Sequence, residues 1–129
     1  MAKKIIVIGG SAAGPKAAAR ARRLDPSAEI TIIQKEKDLS MASCGYPYYV
    51  GGTFDERNKL IANAAGVVRD PAFYRAMKNI TARVETRVTA IDPARKTVTA
   101  KDLRSGAEDV LPYDTLVIAT GARPRMLAI

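Results

Sequence analysis

The chain has 129 residues, of which 47% are apolar and 26% are charged, and it carries a net charge of +8 without any histidine. This length and composition indicate one folded domain and exclude a disordered chain, a disulfide-rich scaffold and, because the apolar runs are short, a membrane-spanning helix. The basic residues are dispersed and aromatic residues make up only 5%, which argues against a nucleic-acid-binding surface and favours phosphate-bearing cofactors or substrates, or simply a solvated basic surface.

The first predicted elements form a β-α-β unit. Residues 5–8 are a β-branched run that enters a glycine-rich turn and predict a buried parallel strand. Residues 14–24 are rich in alanine and predict a helix, which Asp25 and Pro26 end, and residues 29–34 predict a second strand. The helix face expected to lie on the sheet is formed by Ala17, Ala18, Ala21 and Leu24.

The second half of the chain predicts one helix and several strands. Residues 71–78 predict a helix that Asp70 can cap and in which Pro71 occupies the first position. Residues 115–119 predict a last, apolar strand. The strands of an antiparallel meander are predicted at residues 82–91, 96–102 and 108–111. The predicted fold is therefore α/β, with a parallel sheet and an antiparallel β meander.

Residues 9–14 lie between the first strand and the first helix, at the place of a dinucleotide-binding turn, and are here called the phosphate loop. Gly9 allows a tight turn, Gly14 allows the helix to approach the strand, and the free N–H groups at the helix start can hold a pyrophosphate. Ser11 replaces the middle glycine of the GxGxxG pattern, and a tight turn without a ligand is the structural alternative. The predicted nucleotide contacts in this loop are Gly9, Gly10, Ser11, Ala12, Ala13 and Gly14.

The end of the second strand is where an acid usually binds the ribose hydroxyls of the nucleotide. Gln34 occupies that position in this chain. The amide of Gln34 can still form hydrogen bonds with a ribose, and a carboxylate, Glu36, follows two residues later. Lys35, between them, can instead contact a phosphate.

Cys44 is the single cysteine and lies in the segment SMASCGYPYYVGG. A free cysteine is more often a packed apolar residue than a nucleophile, but Ser43, Gly45 and Pro47 predict the start of a helix, where the dipole favours a thiolate. Such a thiolate attacks disulfide sulfur. A lone thiol is also typical of a reducing compartment, and the N-terminal segment does not have the pattern of a signal peptide, so we expect a cytoplasmic protein.

Three segments, IIVIGG, SMASCGYPYYVGG and YDTLVIATGARP, together resemble the pyridine nucleotide-disulfide oxidoreductases over nearly the whole chain. The dithiol branch of that family carries a second cysteine at the position of Tyr49, which excludes this branch. The single-cysteine branch includes coenzyme A-disulfide reductases, NADH-dependent persulfide or polysulfide reductases, and NADH oxidases and peroxidases. Its pattern S-F-x-N-C-G-x-P-Y is matched by Ser40, Cys44, Gly45, Pro47 and Tyr48, with Met41 and Ser43 in place of Phe and Asn.

The resemblance implies a Rossmann-type FAD-binding half-domain. FAD would lie with its pyrophosphate on the phosphate loop, its ribose near Gln34 and Lys35, and its flavin ring close to Cys44. NAD(P)H would reduce the flavin in the complete enzyme, and the electrons would pass to the Cys44 sulfur as the catalytic group. The further cofactor contacts are predicted at Ser43, Thr120 and Gly121.

A basic stripe on the first helix suggests where the substrate binds. Lys16, Arg20 and Arg23 recur at i, i+4 and i+7 and therefore share one helix face. The resemblance implies that these positions, together with Ser40 and Ser43, contact coenzyme A in the coenzyme A-disulfide reductases. A solvated basic helix face is the alternative interpretation.

From the resemblance we expect an FAD-dependent NAD(P)H:disulfide oxidoreductase that reduces coenzyme A disulfide, a persulfide or a polysulfide through Cys44. The alternatives are an NADH oxidase or peroxidase that uses a cysteine sulfenic acid, and a non-catalytic nucleotide-binding module with a packed cysteine. Residues 1–129 would form the N-terminal part of the FAD domain of a longer, homodimeric flavoprotein. We expect no metal, nucleic acid or membrane as a partner.

Overall fold

Seven strands form two sheets in the computed structural model, which describes residues 1–129. The strands are β1 (Lys4–Ile8), β2 (Glu29–Ile33), β3 (Thr81–Arg83), β4 (Thr86–Asp92), β5 (Thr97–Asp102), β6 (Glu108–Pro112) and β7 (Thr115–Ile118). The α-helices are α1 (Ala13–Leu24), α2 (Tyr46–Val50) and α3 (Pro71–Lys78). No helix combines the length and the apolar character needed to cross a membrane.

The first sheet is parallel and has the strand order β3-β2-β1-β7. Its central strand, β1, places Val7 opposite Ile32 of β2 and Val117 of β7. Val7 and Ile32 are fully buried because helices cover one face of this sheet and the meander covers the other. This two-sided burial accounts for the β-branched runs, which show no polar alternation. The predicted parallel sheet is confirmed.

The second sheet is an antiparallel meander with the strand order β4-β5-β6. Val98 and Ala100 of β5 are fully buried and pack with Ile6 and Ile8 of β1. Because side chains alternate along a strand, these residues form the inner face of the meander, while the alternating residues Thr97 and Thr99 are only partly buried. The meander therefore covers the face of the parallel sheet that lies opposite α1.

The predicted strand at residues 82–91 is wrong as a single element. The structure divides it into β3, which belongs to the parallel sheet, and β4, which begins the meander. The division falls at Glu85, whose φ of 48° lies in the left-handed region. A single non-glycine residue in this region turns the chain out of the strand, and the alternation of residue types does not reveal it.

Helix α1 packs on the parallel sheet through a narrow face of small residues. Gly14 and Ala18 are buried, and Ala21 packs against the core. The prediction that Leu24 belongs to this face is wrong, because its side chain is 68% exposed. Leu24 is the last residue of α1 and lies about one turn beyond Ala21, where the helix no longer covers the sheet.

Helix α3 begins as predicted. The Oδ1 atom of Asp70 accepts a hydrogen bond of 2.8 Å from the N–H of Phe73, and Pro71 occupies the first turn. Asn79 ends the helix in the left-handed conformation that is common after the last turn. The helix places Tyr74 in the core, where its side chain is buried beneath the loop that carries Cys44.

Candidate active site

The phosphate loop turns sharply at the carboxyl end of β1. Gly9 has a φ of 109°, and a Cβ atom at this position would lie 2.0 Å from the carbonyl oxygen of Ala119. A Cβ atom on Gly14 would lie 1.8 Å from the carbonyl oxygen of Gly9. Both distances are far below van der Waals contact, so this turn requires glycine at both positions. The glycine pattern therefore reflects close backbone packing between β1, α1 and β7.

The N-terminus of α1 is free of side-chain caps. Ala12 precedes the helix without a side-chain hydrogen bond, and the first turn contains no acidic residue. The first N–H groups of a helix have no partner within the helix and carry a partial positive charge. They are therefore available to an anion, which agrees with the predicted pyrophosphate site at the start of this helix.

A cavity of about 320 Å³, here called the crevice, lies at the carboxyl ends of β1 and β2. Five of the predicted cofactor contacts line it, namely Gly9, Ser11, Gln34, Lys35 and Thr120. A crevice at the carboxyl edge of a parallel sheet is the usual position of a nucleotide site in α/β folds. The structure thus brings together residues from three separate parts of the sequence.

Other predicted cofactor contacts lie outside the crevice. Gly10 and Gly14 are buried residues of the phosphate loop, and Ala13 is exposed at the first position of α1. Ala12 faces a second cavity, described below, and Gly121 is exposed beyond β7. The loop as a whole borders the crevice, although only Gly9 and Ser11 of its residues line it.

The crevice also contains residues that the sequence analysis did not assign to a site. Glu36, which was noted only for its proximity to Gln34, lines it beside Lys35. Thr86, Arg87 and Val88 enter from the start of β4, because the meander lies across the parallel sheet. No local signal near β4 marks these residues. Their position follows only from the packing of the two sheets.

Gln34 is buried, and its amide is already bonded to the protein. Its Oε1 accepts a hydrogen bond of 2.9 Å from the N–H of Gly10, and its Nε2 donates one of 3.2 Å to the carbonyl oxygen of Asp38. The side chain thereby joins the phosphate loop to residues 35–42, here called the thiol loop, which leads from β2 to Cys44.

Cys44 lies at the end of the thiol loop, in a short 3₁₀ turn at Ser43–Gly45 that continues directly into α2. The predicted helical start is present, although α2 has only five residues. The Cys44 side chain is exposed, so it is not the packed apolar cysteine of the alternative interpretation. An exposed thiol can be reached by a soluble disulfide.

A cavity of about 490 Å³, here called the thiol cavity, opens beside Cys44. It contains four of the predicted catalytic and substrate residues, namely Lys16, Arg23, Ser40 and Cys44. Arg20 does not line it, although it lies on the same helix and is exposed, and Ser43 is exposed next to the thiol but outside the cavity. The predicted substrate residues are therefore only partly brought together.

Two further cations enter the thiol cavity, one from just before α3 and one from the last residue of α3. These are Arg69 and Lys78, which the sequence analysis did not single out. With Lys16 and Arg23 they give four positive side chains, and no carboxylate lines the cavity. Such a surface favours an anionic ligand. Ser11 lines both cavities, so the phosphate loop lies between the crevice and the thiol cavity.

Ser40 is the most constrained residue of the thiol loop. It is buried with a φ of 56°, and its N–H donates a hydrogen bond of 2.7 Å to the carbonyl oxygen of Gly10. Its hydroxyl oxygen lies 2.5 Å from the hydroxyl oxygen of Tyr74. These contacts fix the thiol loop against both the phosphate loop and α3.

An ion pair holds the outer side of the thiol loop. The Arg57 guanidinium donates a hydrogen bond to the Asp38 carboxylate, and this bond, followed by the charge of Asp38, raises the pKa of Arg57 above its ordinary value. Because a guanidinium is charged at all physiological pH values, Arg57 keeps its positive charge in this contact across the neutral range.

Comparison with known proteins agrees with this arrangement. The family model described as pyridine nucleotide-disulphide oxidoreductase matches residues 3–129. The chain belongs to this family. The predicted family is therefore confirmed, and the members of this family depend on FAD and a pyridine nucleotide.

Individual relatives cover most of the chain. A coenzyme A disulfide reductase of Staphylococcus haemolyticus is 35% identical over 120 residues, which are 93% of this chain and 26% of the relative. An NAD-dependent persulfide reductase from A. fulgidus has a TM-score of 0.93 and 49% identity over 98% of this chain and 23% of its own. A water-forming NADH oxidase from Lactobacillus brevis bound to NADH has a TM-score of 0.86 and 30% identity over 99% of this chain and 27% of its own. The chain thus spans about a quarter of the length of these pyridine nucleotide-disulphide oxidoreductases.

Proposed function

We propose that this protein is an FAD-dependent NAD(P)H:disulfide oxidoreductase that reduces coenzyme A disulfide or a related anionic sulfur compound through Cys44. The observation that carries this proposal is the thiol cavity, which is lined by an exposed cysteine, four cations and no carboxylate. Coenzyme A carries phosphate groups on a long thiol arm, so a disulfide of coenzyme A matches both the charge and the reactive group of this cavity.

The crevice fits the adenine-nucleotide half of FAD. The uncapped start of α1 and the close backbone packing of Gly9 and Gly14 provide a pyrophosphate site, and Lys35 adds a positive charge at the rim. We assign Thr120 to the flavin side of this site, because it reaches the crevice from the end of β7. When bound, FAD supplies the transfer of two electrons from NAD(P)H to sulfur.

The chain itself supplies the thiol chemistry. The Cys44 thiolate attacks one sulfur of the disulfide, a bond forms between the two sulfur atoms, and the original S–S bond breaks. The departing thiol takes the electron pair of the broken bond and leaves as a thiolate. Lys16, Arg23, Arg69 and Lys78 hold the phosphate groups of the substrate and attract the anionic disulfide to the cavity. Reduction of the mixed disulfide then consumes two electrons, breaks its S–S bond, releases the second half of the substrate as a thiolate and returns the Cys44 thiolate.

A second candidate function is that of an NADH oxidase or peroxidase. It is supported by the exposure of Cys44, which leaves the thiol open to peroxide, and by the likeness to the water-forming NADH oxidase. In that case peroxide would oxidise Cys44 to a sulfenic acid. The four cations would then have no role in the reaction, so this candidate predicts no preference for anionic disulfides.

The exchange step tests the first proposal directly, because it requires neither flavin nor nicotinamide. Reduced protein is mixed with coenzyme A disulfide or with pantethine, which has the same thiol arm without the nucleotide phosphates, and the mixed disulfide on Cys44 is followed by mass spectrometry. We expect faster exchange with coenzyme A disulfide at low salt, with the difference shrinking as salt screens the cations. Equal rates for the two disulfides at low salt would overturn the proposal, and Cys44→Ser should give no adduct with either.

We also infer that residues 1–129 are the N-terminal part of the FAD domain of a homodimeric, cytoplasmic flavoprotein. The chain spans about a quarter of the relatives' length, which supports its assignment as one part of a longer flavoprotein. The single exposed thiol supports a reducing, cytoplasmic compartment. Size-exclusion chromatography with light scattering on the complete protein tests the dimer.

A further inference from the structure

Gln34 occupies the position at which an acid usually binds the ribose, but its side chain is used differently here. It is buried, and both ends of its amide are bonded within the protein. The oxygen accepts from Gly10 in the phosphate loop, and the nitrogen donates to the carbonyl of Asp38 in the thiol loop. The side chain therefore joins the two loops that border the crevice and the thiol cavity.

This arrangement requires an amide. A glutamine provides both an acceptor and a donor, whereas an ionised glutamate provides only acceptors. A carboxylate at position 34 could still accept from the Gly10 N–H, but its second oxygen would face the Asp38 carbonyl oxygen without a proton between them. Two acceptors in a buried contact repel each other and leave both without a partner.

A second bond completes the connection between the loops. The N–H of Ser40 donates to the carbonyl oxygen of Gly10 at 2.7 Å, so Gly10 is bonded on one side to Gln34 and on the other to the thiol loop. Ser40 lies four residues before Cys44. The position of the cysteine relative to the phosphate loop thus depends on a chain of three hydrogen bonds through Gln34, Gly10 and Ser40.

Glu36 offers the carboxylate that position 34 lacks. It lines the crevice together with Gly9 and Ser11, and its side chain is 67% exposed. Its backbone is held in place because its carbonyl oxygen accepts a hydrogen bond of 3.1 Å from the N–H of Glu85. Its Oε1 atom lies 3.7 Å from the Nζ atom of Lys35, and both side chains are exposed. An exposed carboxylate beside the phosphate loop can accept hydrogen bonds from both hydroxyls of a ribose.

We propose that Gln34 is a positioning residue that holds the phosphate loop and the thiol loop in a fixed position relative to one another. We also propose that Glu36 supplies the carboxylate for the ribose of FAD. The Glu36 assignment rests on the proposed function, since it requires that the crevice binds FAD. The Gln34 assignment concerns hydrogen bonds within the protein and does not depend on a ligand.

Amide hydrogen exchange, followed residue by residue by NMR without FAD, tests the role of Gln34. In Gln34→Glu and Gln34→Ala we expect the Ser40 N–H to exchange at least about tenfold faster than in the unmodified protein, because the thiol loop loses its connection. The N–H groups of Val7 and Ile32 lie in the core, so their exchange rates report global opening. These two exchange rates should keep the same ratio to one another and to those of the rest of the sheet. Unchanged exchange at Ser40 in both variants would overturn the Gln34 assignment.

FAD titration separates this proposal from a direct ribose contact by residue 34. If residue 34 binds the ribose, Gln34→Glu restores the usual acid and FAD binds as tightly or more tightly. Our proposal predicts the opposite, with about tenfold weaker binding of FAD. Glu36→Gln should also weaken FAD binding but leave the Ser40 exchange rate unchanged. The matched control is Glu29→Gln at the other end of β2, which should change neither quantity.

The two arms also distinguish the failure of this inference from the failure of the proposed function. If the complete protein binds no FAD, the proposed cofactor role and the Glu36 assignment are both overturned, while the exchange rates still decide the role of Gln34. If FAD binds but Gln34→Glu tightens it, the proposed function stands and the Gln34 assignment is wrong.

Discussion

The hydroxyl oxygens of Ser40 and Tyr74 lie 2.5 Å apart in the protein interior, although 34 residues separate them in the sequence. Tyr74 comes from α3 and packs in the main hydrophobic core, whereas Ser40 belongs to the loop that leads to Cys44. Because both residues are buried, no solvent competes for this hydrogen bond. The core of the domain is thereby connected directly to the thiol loop.

Replacement of Tyr74 by phenylalanine tests this contact. Tyr74→Phe removes one hydroxyl and leaves the buried Ser40 hydroxyl without its partner, so we expect a loss of about 1–3 kcal/mol in the free energy of unfolding. Urea denaturation measures this quantity. Tyr48→Phe, at a tyrosine that is 60% exposed, is the matched control and should change stability little. Equal effects of the two substitutions would contradict the importance of the buried pair.

The cations of the thiol cavity are tested by charge reversal on α1. We expect Lys16→Glu and Arg23→Glu each to slow exchange with coenzyme A disulfide by roughly two- to fivefold at low salt, as for one partly exposed charge pair. Exchange with pantethine should be nearly unaffected. Arg20→Glu changes the same charge on the same helix outside the cavity and serves as the control. If Arg20→Glu slows the reaction as much as Arg23→Glu, the overall charge of the protein controls the rate, and the cavity does not.

The backbone contact between Gly14 and Gly9 predicts a large effect of a single methyl group. In Gly14→Ala the new Cβ atom would lie 1.8 Å from the Gly9 carbonyl oxygen, so the phosphate loop must move. We expect a loss of about 3 kcal/mol or more in the free energy of unfolding. Gly66→Ala is the control, because it has a positive φ of 79° but open space, and should cost about 1 kcal/mol. Similar losses for the two variants would show that the loop accommodates the methyl group.

The turn between β5 and β6 gives a pH-dependent contribution to stability. Hydrogen bonds from the N–H groups of Ser105 and Arg104 lower the pKa of Asp102 below its ordinary value of 3.8. A carboxylate with a lowered pKa stabilises the fold at pH values above its unfolded pKa, and this stabilisation is lost as the pH falls through the folded pKa. Asp102→Asn keeps the acceptor but does not titrate.

Urea denaturation at a series of pH values checks this expectation. The difference in unfolding free energy between the unmodified protein and Asp102→Asn should be constant in the neutral range. As the pH falls below 3.8, the ordinary pKa of the carboxyl group, the unmodified protein should lose stability relative to Asp102→Asn. Parallel curves over the whole acidic range would contradict the role of the carboxylate.

Much of the fold could be predicted from the sequence because its signals are local. The β-branched strand at β1, the glycines that follow it and the Asp70 cap each leave a pattern within a few residues. The separation of β3 from β4 could not be predicted in this way, because it depends on one left-handed residue, Glu85. The exposure of Leu24 likewise follows from where the sheet ends, which is not a property of α1 alone.

The candidate site could be predicted where the positions of its residues depend on helix geometry. It could not be predicted where they depend on tertiary packing. At about 100° per residue, Arg20 lies about 40° to one side of Lys16 and Arg23 about 20° to the other. The three cations therefore share one broad face, but the thiol cavity meets only the side that carries Lys16 and Arg23. Arg69 and Lys78 reach the cavity through the packing of α3, which no pattern in the first helix could show.

The pairing of β1 with β7 also determines when this site can form during synthesis. Lys4 and Asp114, which are 110 residues apart, exchange two hydrogen bonds between the Lys4 backbone and the Asp114 backbone and side chain. Gly9 packs against the carbonyl of Ala119, just beyond β7. A nascent chain that has left the ribosome only as far as α3 therefore lacks one wall of the crevice, and its central strand has an unpaired edge. The crevice is complete only after β7 has emerged, and until then the exposed edge of β1 can pair with a strand of another chain.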